Sequence, residues 1–108
     1  MNNTRAVEAL SALANEHRLA IYRLLVQTGP QGRPAGAIAD NLDLAASSLS
    51  FHLAHLTRAG LIEQRRESRS LIYSADFEAM NGLVGFLTEN CCGGAACAPA
   101  PTSRRKAS

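Results

Sequence analysis

A mostly α-helical domain with one β-hairpin is the fold class this sequence predicts, on three observations. Apolar residues recur at helical spacing in four segments up to Arg58, and again from Asp76 onward. Residues 61–75 switch to a two-residue alternation around a polar turn. Two short helices joined by a tight turn stand directly before that hairpin.

Each element has its own signals. Thr4 or Asn3 can cap a first helix, with Val7, Leu10 and Ala14 at helical spacing. Asn15 can cap a second, which carries Ile21, Leu24 and Leu25 and stops at Gly29-Pro30. Pro34 suits the first turn of a short third helix over residues 35–42. Asp43, Leu44 and Ala45 form a tight turn into a fourth helix running to Arg58, with Gly60 placed to end it. Strands over 61–66 and 70–75 then flank a turn at 67–69, with Ile62, Leu71 and Tyr73 on the inward side. From Asp76 to about Cys92 the steps Phe77, Met80, Val84, Leu87 and Cys91 make an a/d-type helical seam. Residues 1–92 are read as one domain, and residues 93–108, small, Pro-containing and finally basic, as a flexible tail. The order is that of a winged helix-turn-helix.

Composition narrows the class further. A chain of 108 residues suffices for one domain and is short for two. No apolar run approaches the roughly eighteen residues of a membrane span, and the N-terminus lacks the layout of a signal peptide. A cytoplasmic location, no membrane partner and reduced thiols are therefore expected. The net charge of +2 does not by itself point to nucleic acid; the placement of the charges does.

On a helical wheel the fourth helix puts Leu49, Leu53 and Leu56 on one side, with His52 beside them as an expected hydrogen-bonded, half-buried histidine. Ser47, Phe51 and Arg58 point the opposite way, with Ser48, Ser50 and His55 on the flanks. Small hydroxyls near a helix N-terminus let the backbone approach a major groove and reach base edges or phosphates. Phe51 can contact a thymine methyl or pack on a neighbour. Arg65, Arg66 and Arg69 give the hairpin the guanidinium groups a wing needs to grip phosphates. Ser47, Ser48, Ser50, Phe51, His55, Arg65, Arg66 and Arg69 are thus the candidate contacts to double-stranded DNA.

Three stretches together resemble the ArsR/SmtB family of metal-responsive repressors: residues 9–25, residues 44–62 with the step Ser50-Phe51-His52-Leu53 and the closing Ala59-Gly60-Leu61, and residues 65–73. The resemblance spans about Val7 to Cys92. It implies a homodimer held by the first and last helices, with each fourth helix in one major-groove segment of a palindromic operator and an inducer that weakens DNA binding. The sequence departs from the family at informative places. The third helix lacks the Cys-x-Cys motif of the original arsenic sensors, and the last helix lacks the histidine of the zinc sensors. Ala45 and Ala46 stand where relatives carry a capping Ser and a DNA-contacting Gln, and Ser68 replaces a glycine common in the wing turn.

Cys91, Cys92 and Cys97 fall within seven residues, an odd count that suits ion binding or thiol chemistry better than a disulfide framework. The segment resembles the C-terminal sensor cluster of one arsenic-responsive branch. If helical, Cys91 and Cys92 project about 100° apart, so Gly93-Gly94 must end the helix and let Cys97 turn back. Soft thiolates select soft ions. Three sulfurs form the pyramid of trivalent arsenic or antimony, whereas structural zinc takes four ligands and only Glu89 is near as a fourth. Arsenite or antimonite is therefore the expected inducer, with no resident cofactor required. Cadmium or lead binding, and a redox sensor using Cys92 and Cys97, remain the alternatives. Catalysis is not expected: no arginine closes a Cys-x5-Arg loop after any cysteine, and no Ser-His-Asp or paired-carboxylate pattern occurs.

Overall fold

The computed structural model describes residues 1–94. Its elements are α1 (Asn3–Leu13), α2 (Glu16–Thr28), β1 (Arg33–Pro34), α3 (Ala35–Leu42), α4 (Ala46–Arg58), β2 (Ile62–Glu67), β3 (Ser70–Ala75) and α5 (Phe77–Leu87), followed by a single 3-10 turn, Cys91–Gly94. The expected mostly helical winged helix-turn-helix is therefore present. Among the described residues no helix is long and apolar enough to cross a membrane.

The core lies where α2, α3 and α4 meet the base of the hairpin. Ile21, Leu25, Ile38, Leu49, Leu56 and Leu61 are fully buried there, each burial worth about 1.5–3 kcal/mol. The expected inner side of α4 holds, including buried His52. On α1 the expectation fails. Asn2, not Thr4 or Asn3, caps the helix, its Oδ1 accepting from the Arg5 amide at 2.8 Å. That register turns Ala6, Ala9 and Ala12 inward and leaves Val7 and Leu10 exposed. Small residues on the inner face let α1 lie close to the core, and the larger apolar ones face out.

Asn15 caps α2 as expected, its Oδ1 accepting from the amides of His17 and Arg18 at 2.9 and 3.0 Å, and Gly29 ends it at φ 97. Pro34 sits at the N-cap position of α3 rather than in its first turn, because Arg33 and Pro34 are already in use as a strand. This short β1 pairs antiparallel with β3, Arg33 opposite Tyr73 and Pro34 opposite Ile72, so the wing belongs to a three-stranded sheet ordered β1-β3-β2.

The hairpin turn is tighter than expected. Glu67 and Ser70 are still paired, leaving Ser68 and Arg69 as a two-residue turn with Ser68 at φ 58, a conformation that glycine takes without strain. The inward side also differs. Ile62 is buried, but Leu71 near the tip is exposed, and Ile72 and Ser74 on the opposite face are buried instead. The reason is the loop before β1: Gly32, at φ 69, lies so close to the Tyr73 carbonyl and the Ile72 side chain that a Cβ would collide with both.

The last helix is shorter than the a/d seam implied. Asp76 caps α5, its Oδ1 accepting from Ala79 N at 3.0 Å, but the helix stops at Leu87. The Thr88 hydroxyl donates back to the Val84 carbonyl at 2.8 Å, and Asn90 takes a left-handed φ of 56. Asparagine tolerates that conformation, so the chain turns before the glycines are reached. Cys91 is therefore not part of the seam, and Leu83 is the α5 side chain buried deepest.

Removing the Asn15 cap by Asn15→Ala is expected to lower stability by about 1 kcal/mol, or about 4–8 °C in thermal midpoint for a domain of this size. Gly32→Ala is expected to cost more, because strain and a backbone collision add. Thermal or urea unfolding of the two variants reads the order directly.

Candidate DNA-binding surface and cysteine turn

A three-residue turn sets α4 across α3. Asp43 takes the left-handed conformation at φ 55, and the Leu44 amide donates to the Ala39 carbonyl at 3.0 Å. No side chain caps α4, as Ala45 foretold, so its first amides are left for water or an anion. Ser47, Ser48, Ser50, Phe51, Ala54 and Arg58 are all exposed along one side of this helix. Phe51 is 64% exposed, and its ring meets that of His52 edge to face, with centroids 5.7 Å apart. This side is a continuous outward ridge of hydroxyls and one aromatic, suited to a groove in DNA.

Behind the ridge, the buried His52 is held by α2. Arg18 donates from Nε to the Ala12 carbonyl at 2.7 Å, and its Nη1 lies 3.5 Å from His52 Nδ1. The His17 ring stands 5.6 Å from that of His52. Burial pushes the His52 pKa below its usual value, and the positive charges of Arg18, His17 and His55 push the same way. His52 is thus neutral at pH 7, with Nδ1 free to accept from Arg18. His55 is also pushed down, by desolvation, Arg18 and Arg58. It is half-buried and lines a hollow of about 430 Å³ with Val7, Glu8 and Ser11 of α1, beside rather than on the ridge.

The three wing arginines have different settings. Arg69 stands at the exposed tip, and Arg66 is exposed on β2. Arg65 is engaged: Nη2 donates to the Gln31 carbonyl at 2.7 Å, Nη1 to that of Pro30 at 3.3 Å, and Nε to Glu67 Oε2 at 2.8 Å. Gln64, which sequence reasoning passed over, and Tyr73, expected only as an inward residue of the hairpin, face α4 across a groove of about 370 Å³. Strand alternation could have found them, had the face turned towards α4 been known.

After α5 the backbone brings two sulfurs together. The Cys91 amide donates to the Thr88 carbonyl and that of Gly93 to the Asn90 carbonyl, both at 3.0 Å. Cys92 is left-handed at φ 57. Its side chain therefore swings towards that of Cys91 instead of pointing 100° away, and the two Sγ atoms lie 3.6 Å apart. Cys92 is disulfide-bonded in the structure; once it is reduced, two sulfurs at that separation can both reach one ion through metal–sulfur bonds of about 2.3 Å. Among the described residues no group of three His, Cys, Asp or Glu is placed to hold a metal ion; Cys97 lies outside the described residues, as do Arg104, Arg105 and Lys106. A further surface is apolar: Val7 and Leu10 of α1, Leu19 of α2, and Val84 and Leu87 of α5 are all exposed.

Residues 13–65 match the helix-turn-helix domain family. The chain is 34% identical over 86 residues to the transcriptional activator HlyU of Vibrio cholerae, covering 80% of this chain and 77% of HlyU. The chain belongs to the ArsR/SmtB family of helix-turn-helix transcriptional regulators. Among solved structures, reduced HlyU from V. cholerae superposes with a TM-score of 0.66 at 33% identity, covering 84% of this chain and 93% of that one. The homodimeric winged helix-turn-helix DNA-binding domain of Mycobacterium bovis Mb0332, a possible ArsR-family regulator, gives 0.63 at 27%, with 89% of each covered. A possible transcriptional regulator for arsenical resistance gives 0.64 at 25%, covering 74% and 80%. These relatives are transcriptional regulators and not enzymes. As an ArsR/SmtB regulator, the chain is a DNA-binding protein.

The neutral, buried His52 makes stability depend on pH. Its folded pKa is depressed, so the unfolded chain binds the extra proton; the contribution is full above about pH 6.5 and is lost as pH falls through the folded value. The thermal midpoint is expected to fall between pH 7 and 5 (about one unit either side of a typical histidine pKa), and His52→Gln is expected to flatten part of that slope in pH-resolved thermal melts.

Proposed function

We propose that this regulator binds operator DNA as a homodimer and represses, and that arsenite or antimonite releases it by binding Cys91, Cys92 and Cys97. The 3.6 Å approach of the Cys91 and Cys92 sulfurs carries the reading. Cys92, disulfide-bonded in the structure, must first be reduced, its disulfide taking two electrons and two protons from a pair of cellular thiols that leave as their own disulfide. From the three thiols the chemistry with arsenous acid then balances without a further redox step. Three S–H protons leave with three hydroxides as water, three As–S bonds replace three As–O bonds, and arsenic stays trivalent. Repression relieved by an inducer follows the resemblance noted in the sequence, whereas HlyU is called an activator.

The apolar residues that the monomer leaves in water, Val7 and Leu10 on α1 with Val84 and Leu87 on α5, support a dimer through the first and last helices. The cysteine turn follows α5 after only three residues. Gathering a third sulfur there would repack the end of that helix and change the spacing of the two α4 ridges. Half-sites one helical turn apart demand a fixed spacing, and a coupling of about 1–3 kcal/mol is typical of such switches. A second reading, a thiol redox switch using Cys92 and Cys97, has two observations in its favour: Cys92 is disulfide-bonded, and a related structure is specifically that of reduced HlyU.

Fluorescence anisotropy on DNA from the chain's own promoter separates the two. Arsenite is expected to release the DNA from the parent and not from Cys91→Ser or Cys92→Ser, both of which keep parental affinity without inducer. Release by peroxide with indifference to arsenite would sink the metalloid reading.

A further inference from the structure

The two faces of the wing are chemically distinct, and the split falls along the strand alternation. Pairing of Ile62 with Ala75, Gln64 with Tyr73 and Arg66 with Leu71 places these six side chains on one face. Glu63, Arg65 and Glu67 share the other with Ser74, Ile72 and Ser70. Every carboxylate of β2 therefore lies on one side. The first face looks towards α4, because Gln64 and Tyr73 line the groove of about 370 Å³ with Ser50, Ala54, Thr57 and Arg58. The second face lines a separate hollow with Asp76 and Glu78 at the start of α5.

A phosphate strand approaching the second face would meet Glu63, Asp76 and Glu78 together. On the first it meets hydroxyls, one amide and the two guanidinium groups of Arg58 and Arg66, with no carboxylate among the residues that line the groove. Arg65 shares the acidic side, and its guanidinium is already bound to two backbone carbonyls of the Pro30-Gln31 loop and to Glu67.

We propose that one sugar-phosphate strand of the DNA seats in the groove between α4 and the Gln64/Tyr73 face. There Gln64, Tyr73 and Arg58 contact its backbone and Arg66 its next phosphate, while Arg65 positions the wing from behind without touching DNA. The inference rests on the DNA-binding part of the proposed function and not on the inducer. Gln64 and Tyr73 add uncharged hydrogen-bonding groups that fix the register of the strand without reading bases. Arg65 acts through the loop it clamps: by holding Pro30 and Gln31 it keeps β1 on β3 and so fixes the angle between wing and α4.

Counterion release separates a phosphate contact from a positioning residue. Each phosphate neutralised contributes about 0.9 to the slope of log affinity against log salt. Anisotropy titrations on a promoter duplex and on a scrambled duplex of the same composition, over about 50–200 mM salt, read that slope. The parent's binding checks the DNA-binding reading, and the variants check this one. Arg66→Ala and Arg58→Ala are each expected to lower the slope by about 0.9. Arg65→Gln is expected to leave the slope unchanged while raising amide hydrogen exchange in residues 29–33. Gln64→Ala and Tyr73→Phe are expected to weaken binding about 2- to 10-fold on both duplexes, the loss of one hydrogen bond, with the thermal midpoint unchanged. A slope loss in Arg65→Gln equal to that of Arg66→Ala overturns the positioning role, and so does unchanged exchange in 29–33. Parental affinity in both Gln64→Ala and Tyr73→Phe overturns the strand seat.

Discussion

Gly32 rests against the Tyr73 carbonyl and the Ile72 side chain at a distance that no Cβ could share, and much of the molecule depends on that approach. It brings the α2–α3 loop onto β3, allows Arg33 and Pro34 to pair with Tyr73 and Ile72, and converts a free hairpin into the outer part of a three-stranded sheet. A two-stranded hairpin alone is marginally stable in water. Pinned along β3, this one becomes a rigid extension of the helical core. Arg65 reinforces the same contact from β2, giving two hydrogen bonds that span loop and strand. The exposed Arg65–Glu67 ion pair adds little on its own; the bonds to the carbonyls of Pro30 and Gln31 are the ones that connect distant parts of the chain.

Helix α4 is held just as firmly from the other side. Leu49, Leu53 and Leu56 anchor α4 in the core, and His52 meets Arg18, which also reaches across to the end of α1. A neutral imidazole in that place accepts a hydrogen bond without adding charge to a region that already holds a guanidinium. Helix α4 and the base of the wing are therefore packed on one core, with the groove between them. A preformed groove suits recognition of a rigid duplex, because the ordering cost is met on folding rather than on binding.

On the proposed reading control comes from the turn after α5, where several residues of irregular backbone cluster among the described residues. Asn90, Cys92, Gly93 and Gly94 all have positive φ within five residues. Such a segment carries no apolar burial of its own, since residues 87–94 are all exposed, so a ligand that draws the sulfurs together works against little packing. Its attachment to α5, whose outer face is apolar, gives it a lever on whatever that face meets.

Much of this was legible in the sequence. The order of elements, the Asn15 cap, the inner side of α4, the buried histidine and the uncapped start at Ala45 follow from local spacing and local hydrogen bonding, which a single chain encodes directly. The residues that went astray share one feature, dependence on contacts distant in sequence. A two-residue strand with a proline has no periodicity to read. The choice between Leu71 and Ile72 as the buried side of β3 was made by Gly32, some forty positions earlier in the chain. The inward face of α1 was set by how closely that helix could approach the core, which favoured alanines over Val7 and Leu10. The end of α5 turned on Thr88 and Asn90 rather than on the conspicuous glycines, and that early turn brought the Cys91 and Cys92 sulfurs together. Residue types and their spacing thus determined which groups this protein has for DNA and for thiol chemistry; only the tertiary structure decided which of them face one another, because long-range packing chooses between faces that periodicity leaves equivalent.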